Sequence, residues 1–203
     1  PSVITSNINA SIDSVLLPTM ASVQDDASRV KSMTRRAIKT STYIMAPLMM
    51  GLAFCAEPIV RLVLTDKWLA CVPFLRIFCI TYMFYPIHTA NLNAIKAMGR
   101  SDLFLKLEIA KKIVGMALLL STMWFGVMAM AYSLLVSSVT SQIINSWPNR
   151  KLLNYRYLDQ LKDILPGIAL AIFMGCCVNL VALLHLSNTV TLLIQIPMGA
   201  AIY

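Results

Sequence analysis

Leu16–Thr40, LLPTMASVQDDASRVKSMTRRAIKT, is where apolar sequence first gives way to dense charge, and its reading decides the fold. Five cations, Arg29, Lys31, Arg35, Arg36 and Lys39, stand here between two apolar runs. The chain is 58% hydrophobic and 13% charged, with a mean hydropathy of +0.72. In such a chain a basic break reads as a loop held on the cytoplasmic side of a membrane by the positive-inside rule. The apolar content exceeds what a soluble domain of 203 residues could bury, so the expected class is all-α, a polytopic transmembrane helix bundle. A net charge of +8 would suggest nucleic acid in a soluble protein. Here the cations cluster in short loops where topology accounts for them, and no nucleic-acid partner is expected.

Upstream of the basic stretch, residues 1–23 form a first span in which Ser2, Ser6, Asn9 and Asp13 share one helical face. Ile4, Ile8, Ile12 and Val15 make the opposite, lipid-compatible face. A polar face of this kind serves either interhelical packing or a hydrophilic cavity. Downstream, a second span over residues 41–64 contains Pro47 and Pro58 and ends in Glu57 and Arg61, spaced i, i+4 for a helix ion pair. Trp68, in the exterior turn TDKW, is an interfacial anchor.

The third span, 71–97, is the most polar after the first, with Arg76, Tyr85, Pro86, His88, Asn91, Asn93 and Lys96. Pro86 frees a backbone carbonyl near mid-membrane, and neighbouring groups or water must satisfy it. Ser6, Asn9, Asp13, Arg76, His88, Asn91 and Lys96 are therefore the candidates to line a substrate cavity.

A basic loop at 98–112 precedes a fourth span, 113–125, whose helix begins near Leu103. A turn at Gly126 leads to a fifth span ending near Trp147, with Ser137, Ser138, Thr140, Ser141, Gln142 and Asn145 in one half. These suit close packing or a wet cavity. Residues 149–163 read as a cytoplasmic amphipathic loop at the membrane surface, dividing a bundle of about five spans (1–148) from two peripheral spans (164–203). The last is truncated at Tyr203, which reads as a fragment cut at both ends. With sides alternating, 14 of the 17 cations fall in cytoplasmic loops, and only Arg61, Lys67 and Arg76 lie towards the exterior.

Five cysteines show no metal-ligand or redox spacing and read as packing residues. No Walker A, HExxH, GxSxG or CxxC pattern and no placed carboxylate pair occurs, so no enzyme, metal or cofactor is expected.

The words VLLPTMASVQDD, EPIVRLVLTDKW and NLNAIKAMGRSDLFLKLEIAKK resemble the C-terminal half of Wzx-type polysaccharide flippases. They are closest to the WzxC-like lipopolysaccharide biosynthesis proteins of the multidrug/oligosaccharidyl-lipid/polysaccharide exporter superfamily. The resemblance implies the C-terminal lobe of a MATE- or MurJ-like transporter, with the seven spans as helices 8 to 14 of fourteen. It implies alternating-access transport of a lipid-linked oligosaccharide, an undecaprenyl-pyrophosphate O-unit or exopolysaccharide repeat, across the bacterial inner membrane. The implied partners are the lipid bilayer, that lipid-linked oligosaccharide and other polysaccharide assembly proteins; coupling to a proton or sodium gradient is left open. A multidrug/cation antiporter of the same superfamily would need acids buried mid-span, whereas only Asp13 and Glu57 lie inside the spans as drawn. A membrane-embedded polysaccharide polymerase or acyltransferase would need a large exterior loop or an intramembrane catalytic cluster.

Overall fold

The computed structural model describes residues 2–182 and 188–203; the side chains at 4, 5, 8, 9, 11, 12, 182 and 188 lie outside that description. The described residues are helical, with no strand among them. The helices are α1 (Ser2–Ala21), α2 (Ala27–Phe54), α3 (Ala56–Leu64), α4 (Val72–Met83), α5 (Tyr85–Ala97), α6 (Ser101–Thr122), α7 (Val127–Leu152), α8 (Tyr157–Ala182) and α9 (Asn188–Ile202). The seven predicted spans correspond to α1, α2 with α3, α4 with α5, α6, α7, α8 and α9. Among the described residues, three segments are long and apolar enough to cross a membrane: Asp66–Ala97, Val127–Leu152 and Tyr157–Val181. The bent pair α2 and α3 makes a fourth if taken as one span. α1 and α6 are diluted by polar and charged side chains, and α9 has only 15 residues.

Two expected loops turn out to be mostly helix, and at a third, 98–112, the helix begins at Ser101 rather than near Leu103. At the opening basic stretch, Asp26 caps α2 by accepting the Arg29 N–H at 3.0 Å, which starts a helix within one short turn of α1. All five cations therefore ride on the first turns of α2. At 98–112, Gly99 takes φ +70° while Arg100 N–H reaches Ile95 O at 3.1 Å and Gly99 N–H reaches Lys96 O at 3.0 Å. This closes α5 in a Schellman turn, and α6 follows at once from Ser101. At 149–163, only residues 153–156 separate the end of α7 from the start of α8, so the expected amphipathic loop is two helix ends and a tight link.

The second predicted span is not straight. α2 and α3 meet at 66° around Cys55. Pro58 explains the break, because it has no N–H to offer the Phe54 carbonyl and its ring crowds that oxygen. The third span breaks at Phe84 for the same reason: Pro86 cannot bond the Tyr82 carbonyl.

The pair α4 and α5 forms the centre, packed against α1, α2 and α7, while α2 lies along α8, and α8 along α9. Ten of the thirteen residues of α5 are buried. One apolar core gathers Met20, Val30, Ile38, Ile87, Ala90, Ala94 and Ile164 near the basic end. A second gathers Met45, Met49, Cys79, Met83 and Ala171, where flexible methionines fill the space left by the two helix breaks. The five cysteines are free thiols.

Candidate functional site

A helix as buried as α5 must pair its polar side chains, because an unmet donor inside an apolar bundle costs about 1–3 kcal/mol. Asn91 does so with two other helices. Its Nδ2 donates to Gln160 Oε1 at 2.8 Å and Ser146 Oγ at 3.2 Å, while its Oδ1 accepts from Gln160 Nε2 at 3.0 Å and Asn149 Nδ2 at 2.6 Å. All four residues are at most 2% exposed. This cluster ties α5, α7 and α8 together and leaves no room for a ligand.

One turn earlier the arrangement opens. Between the α4/α5 break and the middle of α7 lies a cavity of about 260 Å³, lined by Phe78, Thr81, Tyr82, Tyr85, His88, Leu134, Ser137, Ser138, Ser141 and Gln142. At roughly 30 Å³ per water it holds several waters or one ring-sized polar group. Asn145 Nδ2 donates to His88 Nδ1 at 2.6 Å, which leaves the neutral ring's hydrogen on Nε2. Tyr85 lies 5.3 Å from the His88 ring, centroid to centroid, and 6.3 Å from Tyr82. Gln142 is 2% exposed; its Oε1 accepts from Tyr157 at 3.3 Å, but its Nε2 has no hydrogen-bond partner among the described residues. The cavity thus offers hydroxyls, an imidazole, an aromatic face and one unspent amide donor, a set suited to a polyhydroxylated ligand rather than an ion.

The seven sequence candidates do not converge on one cavity. His88 lines the pocket, and Asn91 is locked in the neighbouring network. Asp13 accepts from Asn93 Nδ2, so it joins α1 to α5. Ser6 is exposed and bonds its own helix at Val3 O, and the Asn9 side chain lies outside the described residues. Lys96 is exposed and sits 4.5 Å from the centroid of the Phe104 ring. Arg76 faces a separate groove. Glu57 and Arg61 pair at 3.0 Å as expected, and Arg61 also meets Asp66 at 3.3 Å.

Two charged clusters escaped the sequence reading. Lys111, its side chain 8% exposed, pairs with Glu108 within α6. Asp163, its side chain also 8% exposed, receives Arg35 at 2.6 Å, Lys39 at 3.1 Å and Tyr155 Oη at 2.8 Å, clamping α8 to α2. Burial, and then the bond to Asp163, push the Tyr155 phenol above its usual range, so it remains a donor at any working pH. The Glu108–Lys111 pair stands at an i, i+3 spacing that the sequence carries, whereas only proximity in space reveals the Asp163 cluster.

Residues 1–73 match the family model described as "Polysaccharide biosynthesis protein". The chain is 30% identical over 141 residues to an uncharacterized membrane protein in the cps region of Klebsiella pneumoniae, covering 69% of this chain and 29% of that one. It is 24% identical over 139 residues to the lipopolysaccharide biosynthesis protein WzxC of Escherichia coli, covering 68% and 28%. It is 23% identical over 141 residues to the teichuronic acid biosynthesis protein TuaB of Bacillus subtilis, covering 69% and 29%. These matches span less than a third of each curated relative's length. Among solved structures, the lipid II flippase MurJ in an inward closed conformation superposes with a TM-score of 0.76 at 17% identity, over 98% of this chain and 42% of that one. The fold is therefore that of a MurJ-like helical bundle. The expected resemblance to polysaccharide biosynthesis membrane proteins is borne out.

Proposed function

We propose, taking that similarity as premise, that this chain is the C-terminal lobe of a transporter that moves a lipid-linked oligosaccharide across the bacterial inner membrane by alternating access. The observation that carries the reading is the hydroxyl-lined pocket at the break between α4 and α5. Irregular backbone at membrane depth is tolerated where it lines a cavity, and transporters place substrate sites beside such discontinuous helices. The pocket's hydroxyls, His88 and the open Gln142 amide supply hydrogen bonds to a sugar headgroup in transit, while the lipid tail stays in the bilayer. Names of relatives point the same way, since WzxC and TuaB are named for lipopolysaccharide and teichuronic acid biosynthesis.

The basic ends of α2, α6 and α7 face the cytoplasm in this reading, in line with the positive-inside rule. A cation antiporter would need free acids, and here Asp13, Glu57 and Glu108 are already engaged by Asn93, Arg61 and Lys111. Depleting the full-length protein in its host tests the function. Lipid-linked oligosaccharide is expected to accumulate on the cytoplasmic leaflet while its synthesis continues; surface polysaccharide at parental levels would sink the proposal.

A further inference from the structure

On the opposite side of α4 from the pocket-bearing α7, a groove of about 410 Å³ runs beside the α2/α3 break, with walls of Met50, Phe54, Ile80 and Ile172. Two polar side chains, Arg76 from α4 and Asn179 from α8, line this otherwise apolar groove. Arg76 Nε donates to the Ala53 carbonyl at 3.3 Å, one of the acceptors left open where α2 ends. That bond anchors the guanidinium, and its two terminal nitrogens meet no partner among the described residues. Asn179 is exposed and likewise makes no hydrogen bond among them. Nearby Arg61 is neutralised by Glu57 and Asp66, whereas no described carboxylate pairs with Arg76.

Arg76 is exposed, and in a bilayer a cation facing lipid without an anion is costly; this one presents a planar fork matched to two oxygens of a phosphate. Arg76 lies two turns along the helical segment from Trp68, the exposed aromatic that marks this end of the bundle, a depth that a lipid phosphate and a long cationic side chain bridge by drawing towards each other. The floor is firm as well. Phe54 lies so close over Gly175 that a Cβ there would come within 2.2 Å of its ring, so α2 and α8 are already in close contact beside the groove.

We propose that Arg76 and Asn179 bind the phosphodiester of an anionic bilayer phospholipid, with one acyl chain lying along Met50, Phe54, Ile80 and Ile172. This site is separate from the pocket at His88, and its occupancy does not depend on the transport reading. Arg76 supplies the charge and the paired donors; the Asn179 amide donates from the facing helix to a third oxygen.

The test is native mass spectrometry of the full-length protein in detergent, titrated with phosphatidylglycerol, with diacylglycerol as the phosphate-free control. One phosphatidylglycerol is expected to bind with preference over diacylglycerol. Arg76→Gln is expected to weaken it at least tenfold, and Asn179→Leu about threefold. Asn179 is exposed, so Asn179→Leu keeps the fold and decides the matter if Arg76→Gln does not purify as a single species. Equal retention by the variants and the parent, or equal binding of diacylglycerol, would overturn the site. Displacement of phosphatidylglycerol by equimolar undecaprenyl phosphate or inorganic phosphate would overturn the assignment to a bilayer phospholipid.

Discussion

Asn91 donates to Ser146, exchanges hydrogen bonds with Gln160 and accepts from Asn149, so an alanine there takes away the acceptor of the buried Gln160 Nε2 and opens a void among three buried polar side chains. Asn91→Ala is expected to cost about 1–3 kcal/mol of stability, seen as a lower melting temperature of the purified protein. His88 lines a cavity, with Asn145 as its hydrogen-bond partner among the described residues. His88→Ala removes the acceptor of the buried Asn145 amide but opens it to the adjoining cavity, so it is expected to lower the melting temperature less than Asn91→Ala does while reducing transport. Equal loss of stability in both variants would mean that the pocket is packing too. The sequence placed both residues on one helix face one turn apart, and from that spacing they look alike. What separates them is Gln160, which lies 69 residues downstream and reaches Asn91 only in the folded bundle.

Elements were legible where local chemistry decides and less so where it competes. Pro47, Pro58 and Pro86 were all visible, yet α2 runs through Pro47 and the chain breaks only at the other two. Charge density at Arg29–Lys39 outweighed the Asp26 cap in the reading of that stretch as a loop, although the word DDASR carries a helix start as well. Between α2 and α8 the contact is fixed at one end by Asp163 with Arg35, Lys39 and Tyr155, and further along by Phe54 against Gly175. Gly175→Ala pushes a methyl into an aromatic ring. Overpacking of this kind costs about 1–3 kcal/mol, so thermal unfolding of the variant is expected several degrees below the parent. An unchanged midpoint would show that Phe54 swings away freely and that the α2/α3 break is looser than described.

At the scale of the whole molecule, the sequence pattern was sufficient for a multi-pass helical bundle, and the comparisons show similarity to polysaccharide biosynthesis proteins and a MurJ-like fold. The site was less legible, because candidates spread along the chain fold into separate places, and the pocket joins hydroxyls of α7 to those of Thr81, Tyr82 and Tyr85 only in the folded bundle. The proposed orientation puts Arg35, Arg100 and Arg156 on the cytoplasmic side and Lys67 and Gly126 outside. Single cysteines at these positions, in a background without the native five, are expected to react with an impermeant reagent from opposite sides of the membrane. Labelling of the cysteine at Lys67 from the cytoplasmic side alone would reverse the orientation.

The central claim is that the pocket between α4, α5 and α7 carries the sugar headgroup. Translocation of a lipid-linked oligosaccharide by the full-length protein in proteoliposomes tests it most directly, comparing the parent with His88→Leu and Gln142→Leu, which fill the cavity with apolar volume. The account predicts at least a tenfold fall in rate for either variant at matched incorporation and melting temperature; a parental rate in both would contradict it.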